Sequence, residues 1–279
     1  MLYGDRAQHK ERNLKMLDFV TQNNAIALPK AFYATSGNEK TSEKYQAIAS
    51  FRVIHALEKA GFETVYAQQA RFRVKHNDGY QRHIAKLRHA DFSGNSVLVP
   101  EIALANSANG TSTFKLIAGA YVFACTNGLF FGKDVTASLS VTHRGADLTD
   151  RIINAAFTLI EAARNEASIV SDWQSVPMPY HRQLEFAYNA RALRFEPFKD
   201  QSGRDLWPIE AGELLECRHY EQRADNLFNI YNRVQEALIR GGMPSLTPNG
   251  KQRHAKAIKS IENDIRINQE LFTLAKQYA

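Results

Sequence analysis

The period of apolar and polar positions changes once along the chain, and the change separates two kinds of structure. Over 51–61, Val53, Ile54 and Leu57 recur at helical spacing and Gly61 supplies a stop. Over 62–74 the period becomes two. Phe62, Tyr66, Ala70, Phe72 and Val74 share one parity, and Glu63, Gln69, Arg71 and Arg73 share the other, the alternation of a strand with one buried face. Asp78-Gly79 suits a hairpin turn and predicts a return strand over 80–89. Further strands are predicted over 97–104 and 111–124, separated by the turn residues Asn106 to Gly110. Asn127-Gly128 predicts another tight turn leading into Leu129-Phe-Phe131, and the alternation over 135–142 predicts a last short strand.

After residue 146 the period is helical. Leu148, Ile152, Ala155, Ala156, Leu159, Ile160 and Ala163 form one stripe over 147–167, with Asp147 and Asp150 placed where acids complement free backbone N–H groups. Pro177 and Pro179 precede a predicted helix over 180–193. A third helix is predicted over 220–240, stopped by Gly241-Gly242, and a last one over 255–277. These elements predict an α+β fold: a twisted antiparallel β-sheet (about residues 62–142) followed by a mainly helical C-terminal half. An N-terminal helix-plus-sheet region (1–145) and a helical region (146–279) packing on the sheet are expected to form one continuous domain.

Composition narrows the class without choosing a chemistry. The 279 residues are 44% hydrophobic and 23% charged, the range of an ordinary globular protein. No apolar run is long enough to span a bilayer, and the N-terminus lacks the pattern of a secretory signal. Two cysteines, Cys125 and Cys217, are too few for a disulfide scaffold, so a cytoplasmic setting without membrane attachment is expected. The net charge of +6 is uneven: residues 1–100 carry +6, 101–240 carry −3, and 241–279 carry +3. A basic first third and a basic tail suggest partners bearing phosphate.

The densest basic stretch is 71–89, with Arg71, Arg73, Lys75, Arg82, Lys86 and Arg88 against the single acid Asp78. Arg82, Lys86 and Arg88 share parity on the second strand, and pairing through the Asp-Gly turn is expected to add Arg71 and Arg73 to the same face. Clustered cations repel unless an anion lies across them, and a nucleic-acid backbone would serve. The alternative is a hairpin whose cations pair with acids supplied by the fold. A second run, Lys251 to Lys259, also lacks acids; on a helix Lys256 and Lys259 would share a face after Arg253. Tyr66 or Tyr80 is placed to stack on bases or to pack in the sheet.

Signals for catalysis are sparse. No phosphate-binding glycine loop, dinucleotide fingerprint or zinc-helix motif is present, and no cofactor is expected. His83 and His89 share parity but lie roughly 20 Å apart along a strand, too far for one metal. Cys125 with His143 permits a nucleophile–base pair, although a thiol in an apolar strand is commonplace. Asp147, Asp150 and Glu161 are conceivable magnesium ligands, but helix capping explains the first two more simply. No catalytic or metal residue is assigned, and the protein is expected not to be an enzyme.

The strings Val99-Pro-Glu-Ile102, Asn106-Ser107, Gly110-Thr-Ser-Thr113, Ile117-Ala-Gly119, Cys125-Thr-Asn-Gly-Leu129, Gly132 and His143-Arg-Gly145 together resemble the uncharacterised prophage and plasmid family called domain of unknown function 932, in its YafZ/YfjQ-like subgroup. The resemblance continues through Arg233-Val-Gln-Glu236, Ile239-Arg-Gly-Gly242 and Ile265-Arg-Ile-Asn268. It implies a bacterial protein of a mobile element and transfers no catalytic residue. The order of sheet then long helix is also similar to that of phage single-strand annealing proteins of the Bet and Erf types. Together these readings predict a non-catalytic protein that binds or anneals single-stranded DNA during recombination, as a homo-oligomer, through Arg71, Arg73, Lys75, Arg82, Lys86, Arg88, Lys256 and Lys259. The alternative is a protein-interaction factor that modulates a host defence or replication protein.

Overall fold

The computed structural model describes residues 26–43, 45, 47–71, 75–92, 98–122, 128–131, 148–200 and 202–279. Its first half holds a five-stranded antiparallel sheet in sequence order: β1 (Phe62–Gln69), β2 (His83–His89), β3 (Leu98–Asn106), β4 (Lys115–Val122) and β5 (Gly128–Phe130). Helix α1 (Ser50–Lys59) precedes it, ending just before Gly61. The second half carries α2 (Leu148–Asp172), α3 (Tyr180–Arg191), α4 (Leu227–Arg240) and α5 (Ile261–Ala275). Two small hairpins lie between them, β6 (Phe198–Lys199) with β7 (Asp205–Leu206), and β8 (Pro244–Leu246) with β9 (Gln252–His254). The fold is α+β, as the change of period implies. Cys125, His143, Asp147, the Asn127 turn position and the strand predicted over 135–142 lie outside the described residues.

Two faces of the sheet are covered differently. Leu87, Ile102, Leu104, Leu116, Ala118 and Ala120 point to one face and join a large core with Ile152, Ala156, Leu159, Ile160 and Ala163 of α2. That core continues through Trp173, Phe186, Tyr231 and Phe272, so sheet and helices share one apolar interior. The other face has a small patch, Ile84, Ala103, Ile117 and Phe130, covered by Ile261 and Ile265 from the start of α5. Burial on both faces explains why β3 is buried at almost every position, without the alternation of a half-solvated strand.

Gly119 marks the closest backbone approach within the sheet. It pairs with Phe130, and a Cβ at 119 would stand 2.5 Å from the Leu129 carbonyl oxygen, a backbone atom that cannot swing aside. Gly119→Ala is therefore expected to lower unfolding free energy by about 1–2 kcal/mol through local overpacking. Urea denaturation checks this, and an unchanged midpoint would contradict the close approach.

Two helices begin later than predicted. Residues 220–222 form a short 3-10 turn, and α4 starts after Asn226, whose side chain accepts from the Asn229 amide. The last helix starts at Ile261, because Ser260 caps it by accepting from the Asn263 amide. Residues 252–254, just before the predicted helix, form β9.

Candidate nucleic-acid interface

Arg82, Lys86 and Arg88 do lie on one face of β2, the face that α5 partly covers. Arg71 does not join them. Thr64 pairs with Leu87 and Tyr66 with Lys86, so Val65 is an extra residue in β1, and this bulge inverts the parity of all that follows. Tyr66 and Gln68 therefore take the face of Lys86 and Ile84, while Gln69 turns the other way and accepts from the Ala31 amide at 2.9 Å. Ala70, not Arg71, stands opposite Arg82, donating to its carbonyl at 2.7 Å. Arg71 is exposed beyond the strand end, Lys75 is exposed on the 3-10 turn Lys75–Asn77, and Arg73 lies outside the described residues.

Each of the three sheet-face cations has an acid from the fold. Arg88 donates through Nε and Nη2 to Oε1 of Glu101 at 2.8 and 2.6 Å, and its guanidinium lies 4.6 Å from the Tyr121 ring centre. Lys86 Nζ is 4.0 Å from the other oxygen of Glu101 and 5.1 Å from the Phe130 ring centre. The same amine fills the space a side chain at Gly128 would need and faces Asp264. Burial holds the Asp264 carboxyl above the usual range, opposed by Lys86 and by the Asn268 amide. Arg82 pairs with Glu262 of α5 and donates to the Thr111 carbonyl at 2.8 Å. The expected repulsion between neighbouring cations is thus relieved from inside the molecule, as the alternative reading required.

The C-terminal run is arranged in the opposite way. Lys256 and Lys259 are not on a helix; they follow β9 in a segment from 255 to 260 that belongs to no helix or strand. Its backbone is held on the inner side. Gly242 N donates to Ala255 O at 2.8 Å, Ala255 N to Met243 O at 2.9 Å, and Ile258 N to Ile239 O at 2.8 Å. Arg194 donates to the carbonyls of Leu238 and Lys256. With the main chain pinned, Lys251, Arg253, Lys256 and Lys259 project into solvent, all exposed. None has a carboxylate within ion-pairing distance among the described residues. The run also approaches the sheet cations, since Lys259 is three residues before Glu262, the partner of Arg82.

Candidate chemistry elsewhere is confined. Among the described residues no group of three His, Cys, Asp or Glu side chains is placed to hold a metal ion. Asp150 and Glu161 are exposed on α2. A Ser–His pair that the sequence did not reveal is Ser50 with His83, whose Oγ and Nε2 are 2.8 Å apart and which are each 1% exposed. The Gln81 carbonyl, 2.9 Å from Nδ1, can only accept, so Nδ1 carries the proton and Nε2 accepts from the Ser50 hydroxyl. Burial pushes the His83 imidazole down to about 4, against a raising contribution from the Gln81 carbonyl. His219 meets the buried Glu236 at 3.0 Å, while the exposed thiol of Cys217 donates to the His219 carbonyl.

Comparison with known proteins finds relatives by sequence. Residues 39–272 match the family described as Domain of unknown function (DUF932). The chain is 27% identical over 258 residues to UPF0380 protein YfjQ of Escherichia coli (strain K12), covering 92% of this chain and 90% of that protein. UPF0380 protein YafZ of the same organism gives the same identity and the same coverage. No solved structure matches the chain. No helix among the described residues is long and apolar enough to cross a membrane.

Proposed function

The chain belongs to the DUF932 family, and from that premise we propose that it is a non-catalytic, sequence-independent binder of single-stranded DNA in a mobile element. The observation that carries this reading is the segment 251–259, which exposes Lys251, Arg253, Lys256 and Lys259 with no acid of the described residues within ion-pairing distance. A chain of phosphates supplies the missing anions, and each neutralised phosphate releases a counterion. Arg71, Arg73 and Lys75 serve as further phosphate contacts in this reading, and Arg82 adds another by exchanging Glu262 for a phosphate. Lys86 and Arg88 are committed to Glu101, so their part is to hold the sheet that supports the site. Annealing follows from this binding when a homo-oligomer presents two strands side by side.

Fluorescence anisotropy with labelled single-stranded and duplex DNA tests the reading. Affinity is expected to fall steeply with salt and to vary little with sequence. Replacing Lys251, Arg253, Lys256 and Lys259 together by Gln is expected to reduce the slope of log K against log salt by about 3, at roughly 0.7 for each single-strand phosphate no longer neutralised. The mass of the same sample in solution tests the oligomer. Absence of binding at low salt would overturn the proposal and favour a protein-interaction factor acting on a host defence or replication protein.

A further inference from the structure

Beside the basic run lies a group of side chains that phosphate binding alone leaves unused. Tyr188 on α3 is 57% exposed, and its ring centre is 6.5 Å from that of Trp207, which is half-buried. Between them sits Arg191, 4% exposed, its guanidinium carbon 4.0 Å from the Trp207 ring centre and 4.8 Å from that of Tyr188. Arg191 is anchored by donating to the Ile209 carbonyl at 3.1 Å. A buried cation gripped by two rings fixes both rings from beneath, while much of the Tyr188 surface stays open to solvent.

The position of this stack gives it a partner. Leu246 N donates to the carbonyl of Pro208 at 2.7 Å, tying the residue after Trp207 directly to β8. β8 pairs with β9, with Ser245 opposite Arg253 and Leu246 opposite Gln252. The aromatic rings and the cations of 251–259 are therefore joined through a single hydrogen bond and one strand pairing. The neighbouring hairpin does not compete for anions. Lys199 pairs with Asp205 at 2.8 Å and Arg204 with Asp200 at 3.2 Å. Exposed aromatic surface next to uncompensated positive charge fits a polymer that offers flat apolar faces and regularly spaced anions.

We infer that Tyr188 and Trp207 form a base-stacking platform, which takes unpaired nucleobases while Lys251, Arg253 and Lys256 hold the adjoining phosphates. The inference rests on the nucleic-acid reading of the basic run and adds its selectivity. In a duplex the base faces are already stacked on one another, so only a single strand can use the platform. Each ring accepts any base by its flat face, which gives strand selectivity without sequence preference.

The two tryptophans provide a direct readout. Trp173 is 1% exposed, whereas Trp207 reaches solvent, so quenching by added nucleic acid reports on Trp207. Oligothymidylate is expected to quench the fluorescence, and a duplex of equal length is expected to leave it unchanged. Tyr188→Ala is expected to weaken single-strand binding about ten-fold with the salt slope intact. Trp207→Phe keeps a ring for stacking and should retain affinity while abolishing the quench. Tyr180→Ala, on the same helix and 67% exposed, serves as the control and should change nothing. If Tyr188→Ala binds at full affinity and Trp207 is not quenched while the four-cation variant still loses its salt slope, the platform is refuted and the phosphate contact stands. If the wild-type protein binds no nucleic acid at all, the underlying reading fails as well.

Discussion

Arg88→Ala is expected to lower the unfolding free energy by about 3 kcal/mol, the low end of what breaking one side of a buried ion pair costs. The reason lies in Glu101, whose side chain is 4% exposed within β3 and flanked along the strand by Pro100 and Ile102. Its Oε1 receives both donors of Arg88, at 2.8 and 2.6 Å. Without them the carboxylate stays buried, with Lys86 at 4.0 Å the one other cation in range among the described residues. That amine is shared with Asp264, so it compensates incompletely. Lys86 is nevertheless why the cost falls near 3 rather than about 5 kcal/mol. Replacing both partners, Arg88→Leu with Glu101→Leu, should recover most of the loss, because the double change removes the desolvated charge together with its counterion. Urea unfolding of the two variants checks this. A loss under about 1 kcal/mol in Arg88→Ala would show that Glu101 is satisfied elsewhere.

This expectation decides how the binding experiments are to be read. Weakened DNA binding on changing Arg88 would follow from a loosened sheet as readily as from a missing phosphate partner. The exposed cations of 251–259 carry no such double duty, since among the described residues no side-chain hydrogen bond or ion pair ties them to the fold. A loss of affinity there, with unfolding free energy unchanged, isolates the phosphate interaction itself.

The sheet was largely legible because its signal is local. Alternating residues, Asp78-Gly79 and the turn residues after Asn106 each act within a few positions, and β1 to β4 follow them. The site was less legible because its deciding features are not local. One extra residue, Val65, moves Arg71 off the face its parity assigned, and no composition rule marks such a bulge. The acid of Arg82 comes from 180 residues away in sequence. For the C-terminal run the signal was present: Ser260 followed by Glu262 and Asp264 is a helix start, which leaves Lys256 and Lys259 outside the helix. The strings that carry the family resemblance also have an internal role. Glu101 holds Arg88, and Gln235 of α4 donates to Asn268 at 2.8 Å and to the Gly128 carbonyl at 3.2 Å, tying α4 to α5 and β5. These strings build the interior, and the exposed cations proposed to act lie mostly between them.

Mild acid is expected to destabilise the protein through His83. The imidazole is enclosed by the Ser50 hydroxyl, the Gln81 carbonyl and the ring of Phe32, whose centre is 4.3 Å away. Asn106 completes the enclosure by donating to Ser50 Oγ and to the Ile48 carbonyl, each at 2.9 Å. Protonating Nε2 would turn an acceptor into a donor facing the Ser50 hydroxyl and would place a charge in a site 1% exposed. Its folded value of about 4 lies below the 6.5 of a free histidine. Between those values the unfolded chain binds the proton and the folded one does not, so stability is full above about pH 6.5 and declines as pH falls toward 4. The gap corresponds to about 3.5 kcal/mol, at roughly 1.4 kcal/mol per pH unit, of which about 3 kcal/mol is lost by pH 4. His83→Gln removes the titration. It should start less stable at neutral pH yet lose about 3 kcal/mol less than the wild type between about pH 7 and about pH 4, measured by urea unfolding at each pH. Direct titration of the His83 ring by NMR gives the same answer without a variant, and a ring that protonates near pH 6.5 in the folded protein would refute it.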